Sequence, residues 1–356
     1  MKKSFLLAAF AGILLAGCTS DEQTEVATSR TDNPIVFNSP IVNAQTRAAV
    51  AGEQPVDGKY STSESFHVYG VWSESDLASW GTATPYMNTD VTYKEISTDI
   101  TENYWASDVT YYWPKDGKLS FAAYSPAECS GEKSYGANGL TITDFTVDAT
   151  TANQYDLMYS ERSLNRTSSS QLGSGVTATY KSGVDIQFKH ALSSIKFQAK
   201  TSEDYSNTTI RIKKIEISGT KYKGTFTEQV VDGSTYRSTP SWAVRSDLTP
   251  NNYVAYEDGT GNGITISISD RPVQSNDVIL LPQTLPDGAQ FTITYTIQSQ
   301  GSNEITQTAT QTIKDLTATW VMGKRYTYTI VFSLNQIFFT PEVSAWENQP
   351  GGDITI

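Results

Sequence analysis

The sequence offers few residues of the types that carry out acid–base or metal chemistry. It contains two histidines, His67 in "FHVYGVW" and His190 in "FKHALSS". No serine, cysteine or metal-ligand signature accompanies either one. A zinc site made from both would require them to meet across distant parts of the chain, and nothing in their spacing favours that. We therefore expect both imidazoles to be structural, and we predict no enzyme activity, no bound metal and no cofactor.

Two other features resemble functional motifs only in part. Cys129 lies in the turn-rich stretch "PAECSGEKSYG" without a C-x-x-C partner, so we expect a free thiol of structural type. Gly259, Gly261 and Gly263 resemble a phosphate-binding loop, but they precede a strand instead of joining a strand to a helix. This spacing predicts a hairpin turn. The nearby aspartates lack the alternating spacing of a calcium loop.

An aromatic cluster allows two interpretations. Its members are Tyr104, Trp105, Tyr111, Tyr112 and Trp113. If they are exposed, Trp105 and Trp113 are candidate glycan contacts, because indole rings stack on sugars. If they are buried, they belong to a core, which we favour because large aromatic residues dominate core packing. No pair of carboxylates stands out as the acid and base of a glycosidase.

The N-terminus has the pattern of an exported lipoprotein. Lys2 and Lys3 precede an apolar run from Phe5 to Leu15, and small residues then lead to Cys18 in "LAGC". The run is too short for a stable transmembrane helix, so it predicts a signal peptide over residues 1–17. Cys18 is then the acylated first residue of the mature chain. Several acyl chains on one cysteine anchor a protein durably in a membrane.

Composition restricts the class of protein further. The formal net charge is −12, which argues against a nucleic-acid partner, because phosphate backbones require a basic footprint. Acidity of this kind suits solubility outside the cell. After acylation of Cys18 only one cysteine remains, so the mature fold must depend on packed cores and not on an internal disulfide.

Period-two alternation predicts an all-β protein. The chain has 20 Tyr, 13 Phe and 7 Trp, and apolar residues alternate in runs such as "FHVYGVW", "TIRIKKIEISG", "FTITYTIQS" and "RYTYTIVFSL". Such runs are typical of antiparallel sandwiches, and the lack of long amphipathic helices disfavours βαβ repeats. The length of 356 residues suggests two domains. A Ser-rich stretch over residues 165–183 is the best candidate for the linker between them.

The order of these landmarks resembles the Mfa-like fimbrillins, the lipoprotein subunits of Bacteroidia-type (type V) pili. The resemblance runs from Met1 to Ile356. It rests on the lipobox followed by "PIVFNSPIVNAQTRA", "FHVYGVW", "YYWPKDGKLSFAAYSP", "YDLMYS", "VDIQFKHALSSIKF", "ILLPQTL", "WVMGKRYTYTIVF" and "VSAWENQPGGDITI".

The resemblance implies two transthyretin-like β-sandwich domains in tandem. We place them at residues 48–182 and 183–356, after a propeptide over residues 18–47. It also implies assembly by strand exchange: a protease removes an N-terminal placeholder strand, and a C-terminal donor strand of a neighbouring subunit fills the groove. On this basis Ile35, Phe37 and Ile41 would form the face of the placeholder strand that covers the core until cleavage.

Arg47 is the expected cleavage site, with the cut before Ala48 by an arginine-specific protease. Small neighbours make this arginine accessible, as a protease acting on a loop requires. Arg30 is the rival site, but a cut there would leave the placeholder strand attached. An ordinary loop arginine at position 47 is the alternative interpretation.

The expected donor residues lie at the other end of the chain. They are Ile337, Phe339 and Val343 in "NQIFFTPEVSAW", with Ile354 and Ile356 in the final "DITI". Alternating apolar residues at a terminus suit insertion into another subunit, although an ordinary last strand packed at home has the same pattern. Head-to-tail insertion generates a filament, because it does not close on itself.

The function implied is that of a structural pilin. It would travel to the outer membrane as a lipid-anchored precursor, polymerise with other fimbrial subunits, and support adhesion and biofilm formation from the surface fimbrium. The alternative is a tip adhesin or surface glycan-binding lipoprotein that does not polymerise. The surface ligand is unknown in either case.

Overall fold

β-Strands dominate the structure, a computed structural model. It describes residues 30–42, 60–95, 104–136, 139–168, 183–230, 238–274, 276–333 and 337–346. The helical segments with defined bounds are single 3-10 turns at Trp80–Thr82, Thr151–Asn153 and Ile313–Asp315. No helix among these residues combines the length and the apolar content needed to cross a bilayer. The all-β prediction is confirmed.

The first half of the chain forms one large sheet and a short ribbon, and it contributes two strands to a third sheet. Its strands are β1 (Arg30–Pro34), β2 (Ile41–Val42), β3 (Ser65–Ser73), β4 (Thr84–Lys94), β5 (Tyr104–Ala106), β6 (Tyr112–Pro114), β7 (Lys118–Ser125), β8 (Glu132–Gly136), β9 (Gly139–Thr146), β10 (Met158–Ser160), β11 (Ser163–Arg166) and β12 (Gln187–His190). The first sheet has the order β2-β12-β10-β7-β3-β4-β5, with β11 also paired to β7, while β1 pairs with β6.

Alternation in the central strands builds the first core. In β3 it turns Phe66 and Val68 inward, and in β7 it turns Leu119 and Phe121 to the same cluster. Each of these side chains is fully buried. Removal of their apolar surface from water is the main stabilising contribution to this half of the fold.

The second half forms two facing sheets with shorter additions. Its strands are β13 (Ser193–Thr201), β14 (Thr208–Thr220), β15 (Lys223–Val230), β16 (Ser238–Val244), β17 (Asn251–Glu257), β18 (Ile264–Ile266), β19 (Arg271–Pro272), β20 (Val278–Leu280), β21 (Gln283–Thr284), β22 (Gln290–Ser299), β23 (Ile305–Thr312), β24 (Thr319–Trp320), β25 (Lys324–Phe332) and β26 (Ile337–Ala345). One sheet has the order β19-β13-β25-β26, with β20 on β13, and the other has the order β17-β14-β22-β23, with β18 on β14. The second core contains residues from both sheets.

The two halves share a sheet of their own. β9 of the first half pairs antiparallel with β15 of the second, and the full order is β16-β15-β9-β8. Phe145 of β9 and Phe226 of β15 are both fully buried in the second core. β12, which follows residue 183, belongs to the first sheet, and the chain enters the second half at β13. The division at residues 182 and 183 stays a prediction, as does the transthyretin-like detail.

A buried ion pair also connects the halves. Arg162, just before β11, lies 3.7 Å (Nη2 to Oε1) from Glu228 of β15, and their side chains are 1% and 0% exposed. The guanidinium carbon is 4.5 Å from the centre of the Trp80 ring, at cation–π distance. Two charges this deeply buried are tolerated only because each compensates the other. The pair therefore constrains how the first sheet packs against β15.

Breaking this pair from one side is expected to be costly. Glu228→Gln leaves the Arg162 guanidinium buried without a counter-charge, which should lower the free energy of unfolding by about 3–5 kcal/mol. The matched control is Glu161→Gln, which removes the partner of Lys189 in an ion pair whose carboxylate is largely exposed. That change should cost about 1 kcal/mol or less. Urea denaturation of the three proteins measures both effects, and equal losses would contradict a buried-pair role.

Candidate functional site

Residues 34–42, here called the N-terminal segment, lie between the two edges of the first sheet. On the β5 side, the Phe37 N–H donates to the Trp105 carbonyl (2.8 Å), and the Trp105 N–H donates to the Phe37 carbonyl (3.2 Å). On the β12 side, the Val184 N–H donates to the Val36 carbonyl (2.8 Å), and the Asn38 N–H donates to the Val184 carbonyl (3.1 Å). The segment thus joins both edges at its centre and closes the sheet.

Backbone pairing continues toward both ends of the N-terminal segment. The Ile35 N–H donates to the Tyr111 carbonyl (2.8 Å), and the Ile41 N–H donates to the Ile186 carbonyl (3.0 Å). Beyond that point β2 runs parallel to β12. The segment therefore satisfies backbone groups on two strand edges that would otherwise be open to solvent or to another chain.

The N-terminal segment also completes the first core. Ile35, Phe37 and Val42 belong to this core, and Val36 is buried outside it. The Phe37 ring is 1% exposed and makes edge-to-face contacts with Phe66 and Phe121, with ring centres 5.8 Å apart in each case. Edge-to-face aromatic pairs add to the free energy gained from burial. Phe37 is the principal anchor of the segment in the groove that it fills.

The structure corrects one residue of the predicted placeholder face. Ile35 and Phe37 lie in the core, whereas the Ile41 side chain is 39% exposed and Val42 points inward in its place. Strict alternation from Ile35 would have put Ile41 inside. The backbone is irregular over residues 38–40, between the bridge at Phe37 and the start of β2, so the face that points inward changes there.

Asn38 and Gly183 fit together closely at the centre of the groove. The Asn38 Nδ2 donates to the Gly183 carbonyl (3.0 Å) and to Oδ1 of Asp185 (2.6 Å), and the Gly183 N–H donates to the Asn38 Oδ1 (2.7 Å). A Cβ at position 183 would lie 2.4 Å from the backbone of Phe37 and of Asn38. Glycine is therefore required for this close approach. No local sequence pattern indicates this role, and Gly183 was predicted only as the end of a linker.

The candidate glycan contacts are not at the surface. Trp105 and Trp113 are 2% and 1% exposed, and both belong to the first core. The Trp105 ring packs against Tyr60, and the Trp113 ring against Phe121. Since stacking on a sugar requires an accessible ring face, these positions favour the core interpretation, and the glycan-contact prediction for the two indoles is corrected.

The predicted donor residues that the structure describes lie in an edge strand of the second half. β26 pairs antiparallel with β25 along its whole length. Ile337 and Phe339 are only half-buried there, and Val343 is 52% exposed. Trp346, at the end of the strand, is buried and stacks on His190 with ring centres 4.1 Å apart. Cys18, Arg47, Ala48, Ile354 and Ile356 lie outside the described residues.

The titratable residues singled out in the sequence have local structural partners. His67 lies within hydrogen-bond distance of Asp90 Oδ1 (2.6 Å) and of Asn88 Oδ1 (2.8 Å), and His190 is 2.5 Å from Asp156 Oδ2. Burial raises the pKa of the Cys129 thiol to about 11, so the nucleophilic thiolate is scarce at neutral pH. Across the part of the chain that the structure describes, no group of three or more His, Cys, Asp or Glu residues could hold a metal.

The glycine-rich stretch differs from the predicted hairpin. It connects β17 to β18, and these strands pair with successive parts of β14 and not with each other. The Gly263 N–H donates to Asp258 Oδ2 (2.6 Å), which lowers the pKa of that carboxyl group. The loop is closed by its own aspartate and holds no phosphate-binding arrangement of strand, loop and helix.

Comparison with known proteins assigns the family. A fimbrillin-like family model matches residues 46–346. This chain belongs to the fimbrillin-like family. The match covers most of the chain and begins after the N-terminal segment. No curated protein matches the sequence.

Several solved structures are similar to this chain. A fimbrial protein from Bacteroides vulgatus has a TM-score of 0.52 at 17% identity, covering 89% of this chain and 100% of its own. This similarity indicates a shared fold. A candidate cell adhesion protein from Bacteroides uniformis has a TM-score of 0.49 at 17% identity, with 81% and 93% coverage. Another from Bacteroides ovatus has a TM-score of 0.44 at 15% identity, with 90% and 100% coverage.

Two substitutions in the N-terminal segment compare the stability contributed by a buried side chain with that of an exposed one. Phe37→Ala leaves a cavity between Phe66 and Phe121 and should lower the free energy of unfolding of the precursor by about 3–5 kcal/mol. Ile41→Ala, in the same segment but at the surface, should change it by about 1 kcal/mol or less. Urea denaturation measures both. Similar losses for the two variants would contradict the position of the segment described above.

Proposed function

We propose that this protein is a structural subunit of a surface fimbria that polymerises by donor-strand exchange. The observation that carries the proposal is the N-terminal segment, which joins both edges of the first sheet and buries four apolar side chains. A segment held by backbone pairing and by burial can be replaced by another extended segment that offers the same bonds.

Removal of the segment would leave a groove with unpaired backbone groups and an exposed apolar pocket. The Trp105 and Val184 amides would lose their acceptors, and the pocket around Phe66 and Phe121 would open to water. Open edges and exposed apolar surface both favour strand addition from another molecule. Because the donated strand and the accepting groove are different surfaces, each added subunit offers a new site and a filament grows.

Arg47 is the proposed site of cleavage, with Ala48 as the new N-terminus. A cut there would put the whole N-terminal segment on the released peptide, whereas a cut after Arg30, at the start of β1, would leave it attached. The fimbrillin-like match begins at residue 46, which is consistent with a mature body that starts near this point. An arginine-specific protease is the corresponding processing partner.

The proposed route to the surface follows from the N-terminus. Acylated Cys18 would anchor the precursor in the outer membrane, and cleavage after Arg47 would release the subunit from that anchor into the growing fimbrium. Adhesion and biofilm formation would be activities of the assembled fibre. The mature body would consist of two transthyretin-like domains, residues 48–182 and 183–356. The alternative of a glycan-binding tip adhesin loses its main support, because Trp105 and Trp113 are buried.

Limited digestion of the purified non-lipidated precursor tests the proposal. An arginine-specific protease should cut after Arg47, the N-terminal peptide should dissociate, and filaments should appear by negative-stain electron microscopy. Mass spectrometry identifies the cut. The control is Arg47→Gln, which should stay intact at this position and remain monomeric. A clean cut with loss of the peptide but without filaments would contradict a polymerising subunit.

A further inference from the structure

Strand β23 is an edge strand without the usual protection against pairing with another chain. It has the sequence "ITQTATQT" and ends the sheet of order β17-β14-β22-β23. Edge strands are normally protected by a charge, a proline or a bulge. Among the described residues, the other end strands of the two facing sheets and of the shared sheet each carry such a residue: Lys133 in β8, Pro240 in β16, Glu257 in β17, Pro272 in β19 and Pro341 in β26. β23 contains neither a charge nor a proline, and it pairs with β22 in one continuous register.

The backbone of β23 directs one row of polar groups away from β22. Just after the strand, the Ile313 N–H donates to the Ala289 carbonyl (3.0 Å) on the β22 side. Because alternate residues of an antiparallel strand bond to the same neighbour, the odd-numbered positions of β23 bond to β22. The Gln311 Nε2 accordingly donates to the Thr312 carbonyl (3.0 Å), which is turned away from β22. The N–H and carbonyl groups at the open edge are therefore those of Thr306, Thr308, Thr310 and Thr312.

The sequence of β23 reads the same in both directions from Ala309. The stretch "TQTATQT" over residues 306–312 is a palindrome, and Ile305 and Ile313 extend it by one residue on each side. If two copies of the strand run antiparallel about Ala309, threonine lies opposite threonine and glutamine opposite glutamine. Threonine pairs across neighbouring strands are stabilising. The edge of β23 is thus complementary to itself.

We propose that β23 pairs antiparallel with β23 of a second copy of this chain, about a two-fold axis at Ala309. In this register Thr308 of each copy exchanges backbone hydrogen bonds with Thr310 of the other, and Thr306 does so with Thr312. Ala309 then lies opposite its own counterpart at a site without hydrogen bonds, where facing side chains are closest and a small one fits. The contact uses neither the N-terminal segment nor β26, so it is separate from the strand exchange proposed above.

Charges beside the strand select the same register. Glu304 and Lys314 lie at equal distances on either side of Ala309 in the sequence, so the two-fold axis brings Glu304 of each copy near Lys314 of the other. Their side chains are 37% and 45% exposed, and both can reach across the contact. Opposite charges at both ends of the paired strands favour this arrangement over a shifted one.

The contact is small, so one pair of strands binds weakly. Stable complexes bury about 1,200–2,000 Å² of surface, and a single strand edge offers less. Isolated molecules therefore remain monomers in dilute solution and pair only at high concentration. If the proposed fimbria forms, many copies of β23 along two fibres can act together, and the fibres associate side by side.

Sedimentation equilibrium of the intact non-lipidated precursor tests the pairing without any cleavage or filament growth. At concentrations up to about 1 mM the protein should show a reversible monomer–dimer equilibrium. Thr308→Pro removes an N–H that points away from β22, so the fold should be kept, as circular dichroism can verify. Its dimerisation constant should fall roughly tenfold or more, because two backbone bonds are lost per dimer. Thr308→Ser keeps the N–H and is the matched control. A protein that is entirely monomeric, or a dimer that Thr308→Pro leaves unchanged, would overturn the proposal and leave strand exchange untouched.

Disulfide crosslinking tests the register and does not depend on the proline variant. In a Cys18→Ser precursor, whose Cys129 is buried, Ala309→Cys should form a disulfide-linked dimer on oxidation with copper phenanthroline. Gln307→Cys alone should form little, because its counterpart in the second copy lies about 14 Å away along the strands. A mixture of Gln307→Cys and Gln311→Cys should crosslink well. A stronger crosslink from Gln307→Cys alone than from Ala309→Cys would overturn the register.

Discussion

The structure depends on satisfying the two open edges of the first sheet. Strands β5 and β12 lie far apart in sequence. The backbone of the N-terminal segment bonds to Trp105 of β5 through Phe37, and to Val184, just before β12, through Val36 and Asn38. Unpaired backbone groups at buried edges are costly, and exposed edges invite other chains. The same bonds can be supplied by any extended segment of suitable shape, which is the physical basis of the strand exchange proposed above.

The rest of the molecule keeps this groove in place. β9 and β15 continue one sheet across the two halves, and the buried Arg162 and Glu228 pair adds a charged contact to the same junction. With two cores joined in this way, loss of the N-terminal segment would act on the first sheet without separating the halves. In the proposed fibre, this connection would let force pass from one half of the subunit to the other.

Sequence patterns predicted the strands well because alternation is a local property. They predicted the placeholder face less well: the inward side changes between Phe37 and Val42, and only the irregular path through residues 38–40 explains the exposed Ile41. The sequence left open whether Trp105 and Trp113 are buried or exposed, because the same aromatic residue types occur in cores and in glycan-binding sites. The pairing of β9 with β15 and the fit of Gly183 against Asn38 depend on tertiary structure, which no local pattern encodes.

Hydrogen exchange at the amides of Trp105 and Val184 measures whether the N-terminal segment holds the two edges of the first sheet. Both amides donate to the N-terminal segment, one from each side of the groove. We expect slow exchange at both amides in the precursor, fast exchange in the cleaved monomer freed of its N-terminal peptide, and slow exchange again in filaments. Protection that persists in the freed monomer would show instead that the N-terminal segment does not hold the edges of the sheet.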